Sequence, residues 1–187
     1  MTTTPTTTAA TAATTASASD VSSTAAQPSH APRIDWATFD QSVPGAVAAL
    51  RSLSQAVDAT GLDKRLTELV KVRVSQLNGC AFCLKLHLDW ARKAGVPGLA
   101  LDLLATWREV EVFDARERAA LAWAEALTGM AARHVGDAAF SEAAQQFGQT
   151  ELAALTTAIA TINAWNRIAG ALRFEPPGLR APAAAQA

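Results

Sequence analysis

Cysteine is scarce in this chain. Two stand among 187 residues, and they are three positions apart. A structural zinc site normally draws on two separated ligand pairs, and no second pair exists. Charge of one sign is also missing. Sixteen basic against seventeen acidic residues leave a formal net charge of −1, so neither nucleic acid nor an acidic membrane surface is an expected partner. No run approaches the ~20 apolar residues of a bilayer crossing. The opening "MTTTPTTTAATAATTASASD" lacks the basic start and Leu-rich stretch of a secretory signal. Arginine is absent before Arg33, which counts against a transit peptide. The expectation is therefore a cytoplasmic protein, where a close cysteine pair is more often catalytic or metal-binding than a structural disulfide. Strand signals are nearly absent too, with "VEVF" at 110–113 the sole candidate, so the fold class is all-α.

What is present begins after the tail. Residues 1–32 are built from Thr, Ala, Ser and Pro and offer too little apolar surface to offset the entropy of ordering, so they read as a disordered tail. The helical domain spans 33–177, and an Ala/Pro tail, also expected to be disordered, covers 178–187. Half of the residues are hydrophobic, enough for a sizeable core. Pro44 can open a helix through "GAVAALRSLSQAV". Asp63 can cap the next, with Leu66, Leu69, Val70, Val74 and Leu77 on one face. Asn78-Gly79 interrupts it, and a new helix starts at about Cys80 and stops at Gly95-Pro97. A shorter helix is expected over Leu99 to Trp107. Asp114 with Glu117 resembles a capping box. Asp137 can cap the following helix, and Thr150 can cap a long one that runs to about Leu172, before Pro176 and Pro177. "TEL" recurs at 67–69 and 150–152 as a faint internal repeat.

The chemistry concentrates in "NGCAFCLKLHLDW", residues 78–90. On a helix at about 100° per residue, Cys80, Cys83 and His87 fall within roughly 60° of one another. Lys85, Asp89, Arg92 and Lys93 fall on the other side and face water. Cys80 lies at the helix N-terminus, where unpaired N–H groups and the helix dipole stabilise a thiolate. Cys83 has His87 at i+4, and a neutral imidazole there can take its proton. A thiolate attacks peroxide oxygen to give a sulfenic acid, and a second thiol one turn away condenses with it to a disulfide. An external dithiol must then reduce that disulfide. Zinc is the alternative, with Glu68 or another histidine completing the ligand set. Glu68 has a structural reading as well, paired with Lys64 or Lys71 on the helix surface. His134 lies in a loop and His30 in the tail, and neither has an assigned role.

The stretch "ELVKVRVSQLNGCAFCLKLH" closely resembles the core motif of alkyl hydroperoxidase D-like proteins, in the carboxymuconolactone decarboxylase-like superfamily. Glu68, then eleven residues, then Cys80, Cys83 and His87 match that motif, spacing included. The later "INAWNRIAGALR" is similar to the ending of a peroxidase-related subgroup. The resemblance implies an AhpD-like helical bundle that assembles as a homo-oligomer, trimer or hexamer. It implies a dithiol peroxidase acting on organic hydroperoxides or hydrogen peroxide in antioxidant defence, with no cofactor and no bound metal. Cys83 would attack, Cys80 would resolve, and Glu68 with His87 would relay protons. The helix-dipole argument instead favours Cys80 as the more acidic thiol. The reductant would be a lipoyl protein or a thioredoxin-like donor. One position departs from the pattern: the best-studied enzymes carry a second histidine between the cysteines, where this chain has Ala81 and Phe82. A disulfide reductase or redox sensor could use the same pair. The polar stripe of Asn163, Asn166 and Arg167 reads as packing and assembly rather than catalysis.

Overall fold

The structure is a computed structural model and describes residues 1–2 and 31–179. The two expected tails therefore lie almost wholly outside the described residues. Eight α-helices follow one another: α1 Trp36–Ser42, α2 Pro44–Ala59, α3 Lys64–Leu77, α4 Ala81–Lys93, α5 Gly98–Leu103, α6 Ala115–Thr128, α7 Asp137–Gln146 and α8 Gln149–Leu172. A 3₁₀ segment, Leu104–Glu109, continues α5 with a kink at Thr106, so the helix expected to reach Trp107 is broken in the middle. Among the described residues there is no strand; residues 111–113 form a turn and a bend. No helix is long and apolar enough to cross a membrane.

Local chemistry sets most boundaries. Pro44 opens α2, and the Asp63 carboxylate accepts the Arg65 N–H at the start of α3. Asp114 and Glu117 form a reciprocal capping box on α6. Two expected caps are corrected. Asp137 lies inside the first turn of α7, behind Gly136, and its charge faces the positive end of the helix dipole. Thr150 lies inside α8, because Glu151 reaches back to the Gly148 N–H (3.2 Å) and starts the helix two residues earlier. α8 ends where Arg173 adopts a left-handed conformation and the Phe174 N–H closes on Ala169 O, ahead of the two prolines. α1 was not foreseen. It lies over the beginning of α4, with Trp36 stacked on Phe82 (ring centroids 6.1 Å apart) and packed against Trp165 and Phe174.

α3 runs through the centre, flanked by α4, α6 and α8. Nine of its fourteen residues are buried, on both sides of the helix. Leu66, Val70 and Val74 face a core shared with α6 and α8. Leu69 and Val72 face a second core with Ala91, Leu101, Leu104 and Trp107. Each fully buried Leu, Ile or Val contributes roughly 1.5–3 kcal/mol. Leu77, expected on the buried face, is exposed because it sits in the last turn before the chain reverses. Glu125 of α6 fixes the register of this assembly, accepting from Arg73 Nε (2.8 Å), Trp107 Nε1 (2.9 Å) and the Arg108 guanidinium.

The reversal between α3 and α4 decides where the thiols go. Gly79 has φ +63°, a left-handed conformation. Its N–H bonds Gln76 O (3.2 Å), and the Cys80 N–H bonds Ser75 O (3.1 Å), the double closure of a Schellman turn. A Cβ at Gly79 would meet no neighbour within 4 Å, so the cost of a side chain there is backbone strain alone. Gly79→Ala should lower unfolding stability by about 1–2 kcal/mol, read as a shift in urea midpoint at unchanged slope. A neutral result would mean that the turn tolerates another conformation.

Candidate functional site

Cys80 ends one helix turn and begins the next helix. Its backbone N–H closes α3, and its sulfur caps α4 by accepting the Cys83 N–H at 3.3 Å. Both thiols are buried and neither is in a disulfide. The Cys83 thiol donates to the Cys80 sulfur, and backbone N–H groups of Cys83 and Phe82 point at it as well. These bonds outweigh burial and bring the Cys80 pKa down to about 7. The same contact works the other way on Cys83: its proton is held between the sulfurs, and burial and the neighbouring charge push its pKa far up. Near pH 7 Cys80 is therefore about half thiolate, beside a Cys83 that stays a thiol. The helix-start argument had pointed to Cys80 as the more acidic thiol.

Access runs the other way. Cys83 and His87 line a cavity of about 630 Å³ whose walls include Trp36, Phe82, Trp90 and Trp165. Cys80 is not among its lining residues. The thiol that meets a ligand is thus the one that rests protonated.

Glu68 lies on α3, fully buried, one helix behind the pair. Oε2 lies 2.7 Å from His87 Nδ1, and Oε1 accepts from Lys71 Nζ at 3.0 Å. Lys64 adds a longer contact of 3.6 Å. Both expected lysine contacts of Glu68 are therefore present, but the carboxylate is buried rather than on the helix surface, and the histidine contact is added to them. Burial alone would raise the Glu68 pKa, but the bond to His87 and the charges of Lys71 and His87 hold it at about 2. An ionised carboxylate only accepts, so Nδ1 of His87 carries the proton and Nε2 keeps its lone pair. Burial, with Lys71 and Lys64 nearby, lowers the His87 pKa despite Glu68. The imidazole is neutral at pH 7, a proton acceptor one turn from Cys83.

Asn166 has a contact that sequence reasoning did not find. Ser75 Oγ gives its proton to Lys71 O (2.8 Å), so it must accept from Asn166 Nδ2 (3.2 Å). Asn166 Oδ1 accepts from Asn78 Nδ2 at 2.9 Å. The amide is thereby fixed with its NH₂ towards α3 and α4, and it hydrogen-bonds Cys83, favouring that thiol's ionised form. Asn163 stays in the packing role: it accepts from Asn78 and donates to Thr128. The available signal was two asparagines at i, i+3 among the apolar residues of a long helix, which demand partners when buried. Trp165, on the same helix, forms part of the cavity wall. Among the described residues no group of three or more His, Cys, Asp or Glu is arranged to hold a metal ion. His134 is exposed in a loop, and His30 lies outside the described residues.

Residues 44–126 match the carboxymuconolactone decarboxylase family. A solved structure of a protein of unknown function from Agrobacterium tumefaciens, proposed as the antioxidant defence protein AhpD, is 36% identical. It superposes with a TM-score of 0.74 over 80% of this chain and 100% of that one. The chain belongs to the carboxymuconolactone decarboxylase family and is AhpD-like within it. A further family relative is YdfG, an uncharacterised protein of Bacillus subtilis (strain 168). It is 29% identical over 135 residues, 72% of this chain and 92% of that one. The AhpD-core, peroxidase-related protein of Ralstonia eutropha JMP134 shares the fold at 22% identity, with a TM-score of 0.66 over 75% of each chain.

Two measurements check this site. Ultraviolet thiolate absorbance of reduced protein should titrate near pH 7, and Cys83→Ala, which removes the S–H donor, should move the midpoint up towards the free-thiol value of about 8.5; an unmoved midpoint would mean that the Cys83 thiol is not what holds the charge. Because the Glu68 pKa is lower folded than unfolded, its stabilisation is present above about 4.5 and is lost as pH falls towards about 2. Glu68→Gln should remove that part of the acid dependence and cost about 3 kcal/mol at pH 7 by leaving Lys71 buried without a counter-charge, both read from urea unfolding.

Proposed function

We propose that this protein is a dithiol peroxidase that reduces organic hydroperoxides or hydrogen peroxide through a Cys80–Cys83 disulfide. The observation that carries the reading is the division of labour between the sulfurs: Cys83 faces the cavity beside a neutral His87, and its proton is already shared with an acidic Cys80. As peroxide approaches, that proton passes to Cys80, and the Cys83 thiolate attacks the terminal oxygen. The O–O bond breaks, Cys83 becomes a sulfenic acid, and the leaving alkoxide takes a solvent proton relayed by His87. His87 Nε2 then accepts the Cys80 proton. The Cys80 thiolate attacks the Cys83 sulfur, and hydroxide leaves as water with the proton returned by His87. One peroxide and two thiols give one alcohol, one water and one disulfide.

In this sequence Glu68 carries no proton. Its role is to hold the imidazole in the tautomer that presents Nε2, much as a carboxylate orients a catalytic histidine elsewhere. Asn166 helps to hold the attacking sulfur as a thiolate. The absence of a histidine between the cysteines is met by the Cys83-to-Cys80 proton transfer, which needs no third base. An external dithiol, from a lipoyl protein or a thioredoxin-like donor, reduces the disulfide, and the working form is a homo-oligomer.

Reduced protein given limiting cumene hydroperoxide should lose two thiols per peroxide. Cys83→Ser should abolish consumption, and Cys80→Ser, which loses both the proton acceptor and the resolving thiol, should react more slowly and stop at a sulfenic acid that dimedone traps. The single-turnover rate should rise with pH through about 7, as the pair loses its first proton. Thiols that survive while peroxide persists would refute the peroxidase reading.

A further inference from the structure

The cavity has a charge pattern that its catalytic residues do not use. Three cations line it: Arg51, Lys64 and Lys71. Two are neutralised. Lys64 Nζ lies 2.8 and 2.9 Å from the Asp58 carboxylate, and Lys71 is paired with Glu68. Arg51 of α2 differs. Its guanidinium lies 6.0 Å from the centre of the Trp36 ring, and among the described residues no carboxylate lies within ion-pair distance of it. Such a cation over an aromatic wall, with its fork unmatched, suits a carboxylate, which it can bind in bidentate fashion.

Aromatic and aliphatic side chains adjoin both this cation and the sulfur. Trp36 stacks on Phe82, the residue next to Cys83, and Trp165 and Ile162 form the adjoining wall. The cavity therefore combines an anion receptor, an aromatic and aliphatic passage, and a thiol. We propose that the preferred substrate is an organic hydroperoxide with an apolar body and a terminal carboxylate, the carboxylate held by Arg51 while the hydroperoxide reaches Cys83. A hydrogen peroxide specialist has no use for this passage, and a neutral hydroperoxide would leave the guanidinium unmatched. The inference rests on the peroxidase reading for its chemistry but not for its binding geometry.

The test compares linoleic acid hydroperoxide with its methyl ester, using the reduced full-length protein and Arg51→Gln. Wild type should favour the acid over the ester by roughly tenfold in kcat/KM, the worth of one charge-assisted contact. Arg51→Gln should bring the ratio to about one, and Arg51→Lys should restore part of it. In parallel, the unreactive hydroxy acid and its ester are titrated against tryptophan fluorescence, since Trp36, Trp90 and Trp165 line the cavity. The hydroxy acid should bind wild type roughly tenfold more tightly than Arg51→Gln. Equal binding to both proteins, or an acid preference that survives in Arg51→Gln, overturns the proposal. If no peroxide is consumed but the hydroxy acid still discriminates between the two proteins, the peroxidase reading fails and the carboxylate site stands.

Discussion

Everything at the site depends on one residue being shared by two helices. Cys80 supplies the backbone N–H that closes α3 and the sulfur acceptor that caps α4. A helix end is a place where N–H groups need acceptors, and a cap is ordinarily a small oxygen side chain. Here a sulfur takes that place, so the electrostatic demand of the helix terminus is met by a group that can also do redox chemistry. The turn fixes the start of α4, and the helix period then fixes Cys83 and His87 against the cavity without further adjustment.

Behind that turn the protein buries one carboxylate fully and another in part, and each is matched. Glu68 is surrounded by His87, Lys71 and Lys64; Glu125 by Arg73, Arg108 and Trp107. Buried pairs of this kind contribute little net stability compared with apolar packing, but removing one partner is costly. Their value is directional. Glu125 locks α3 to α6 and the 3₁₀ segment, and Glu68 locks the imidazole plane to α3. His87 is thus tied to a helix buried on both sides, which leaves it little freedom to rotate.

The amount legible in the sequence varied with the range of the interaction. The helices opened by Pro44, Asp63 and Asp114 were readable because their caps lie within a few residues of one another. The thiol face was readable because the spacing of Cys80, Cys83 and His87 is itself helical. Thr150 misled because the nearby Glu151 carboxylate starts the helix two residues earlier, and Asp137 because α7 begins behind Gly136 with no side-chain cap at all. α1 was overlooked although Asp35 caps it on the Thr38 N–H; at seven residues it is too short to show a periodic face, and it is held by Trp36 meeting Phe82, Trp165 and Phe174. The role of Asn166 was hidden because its partners Ser75, Asn78 and Cys83 are some eighty or ninety positions away in the chain.

The capping sulfur also biases the site's redox equilibrium. In the reduced state Cys80 carries a charge that three donors hold: the Cys83 thiol and two backbone N–H groups. A disulfide is neutral, and it has no S–H to donate. Oxidation therefore removes the acceptor charge from the start of α4, while reduction brings it back. The fold favours the dithiol over the disulfide by whatever those bonds contribute, as in other C-x-x-C sites with an acidic helix-terminal cysteine. Those donors therefore make a disulfide at this turn easier to reduce than it would be without them.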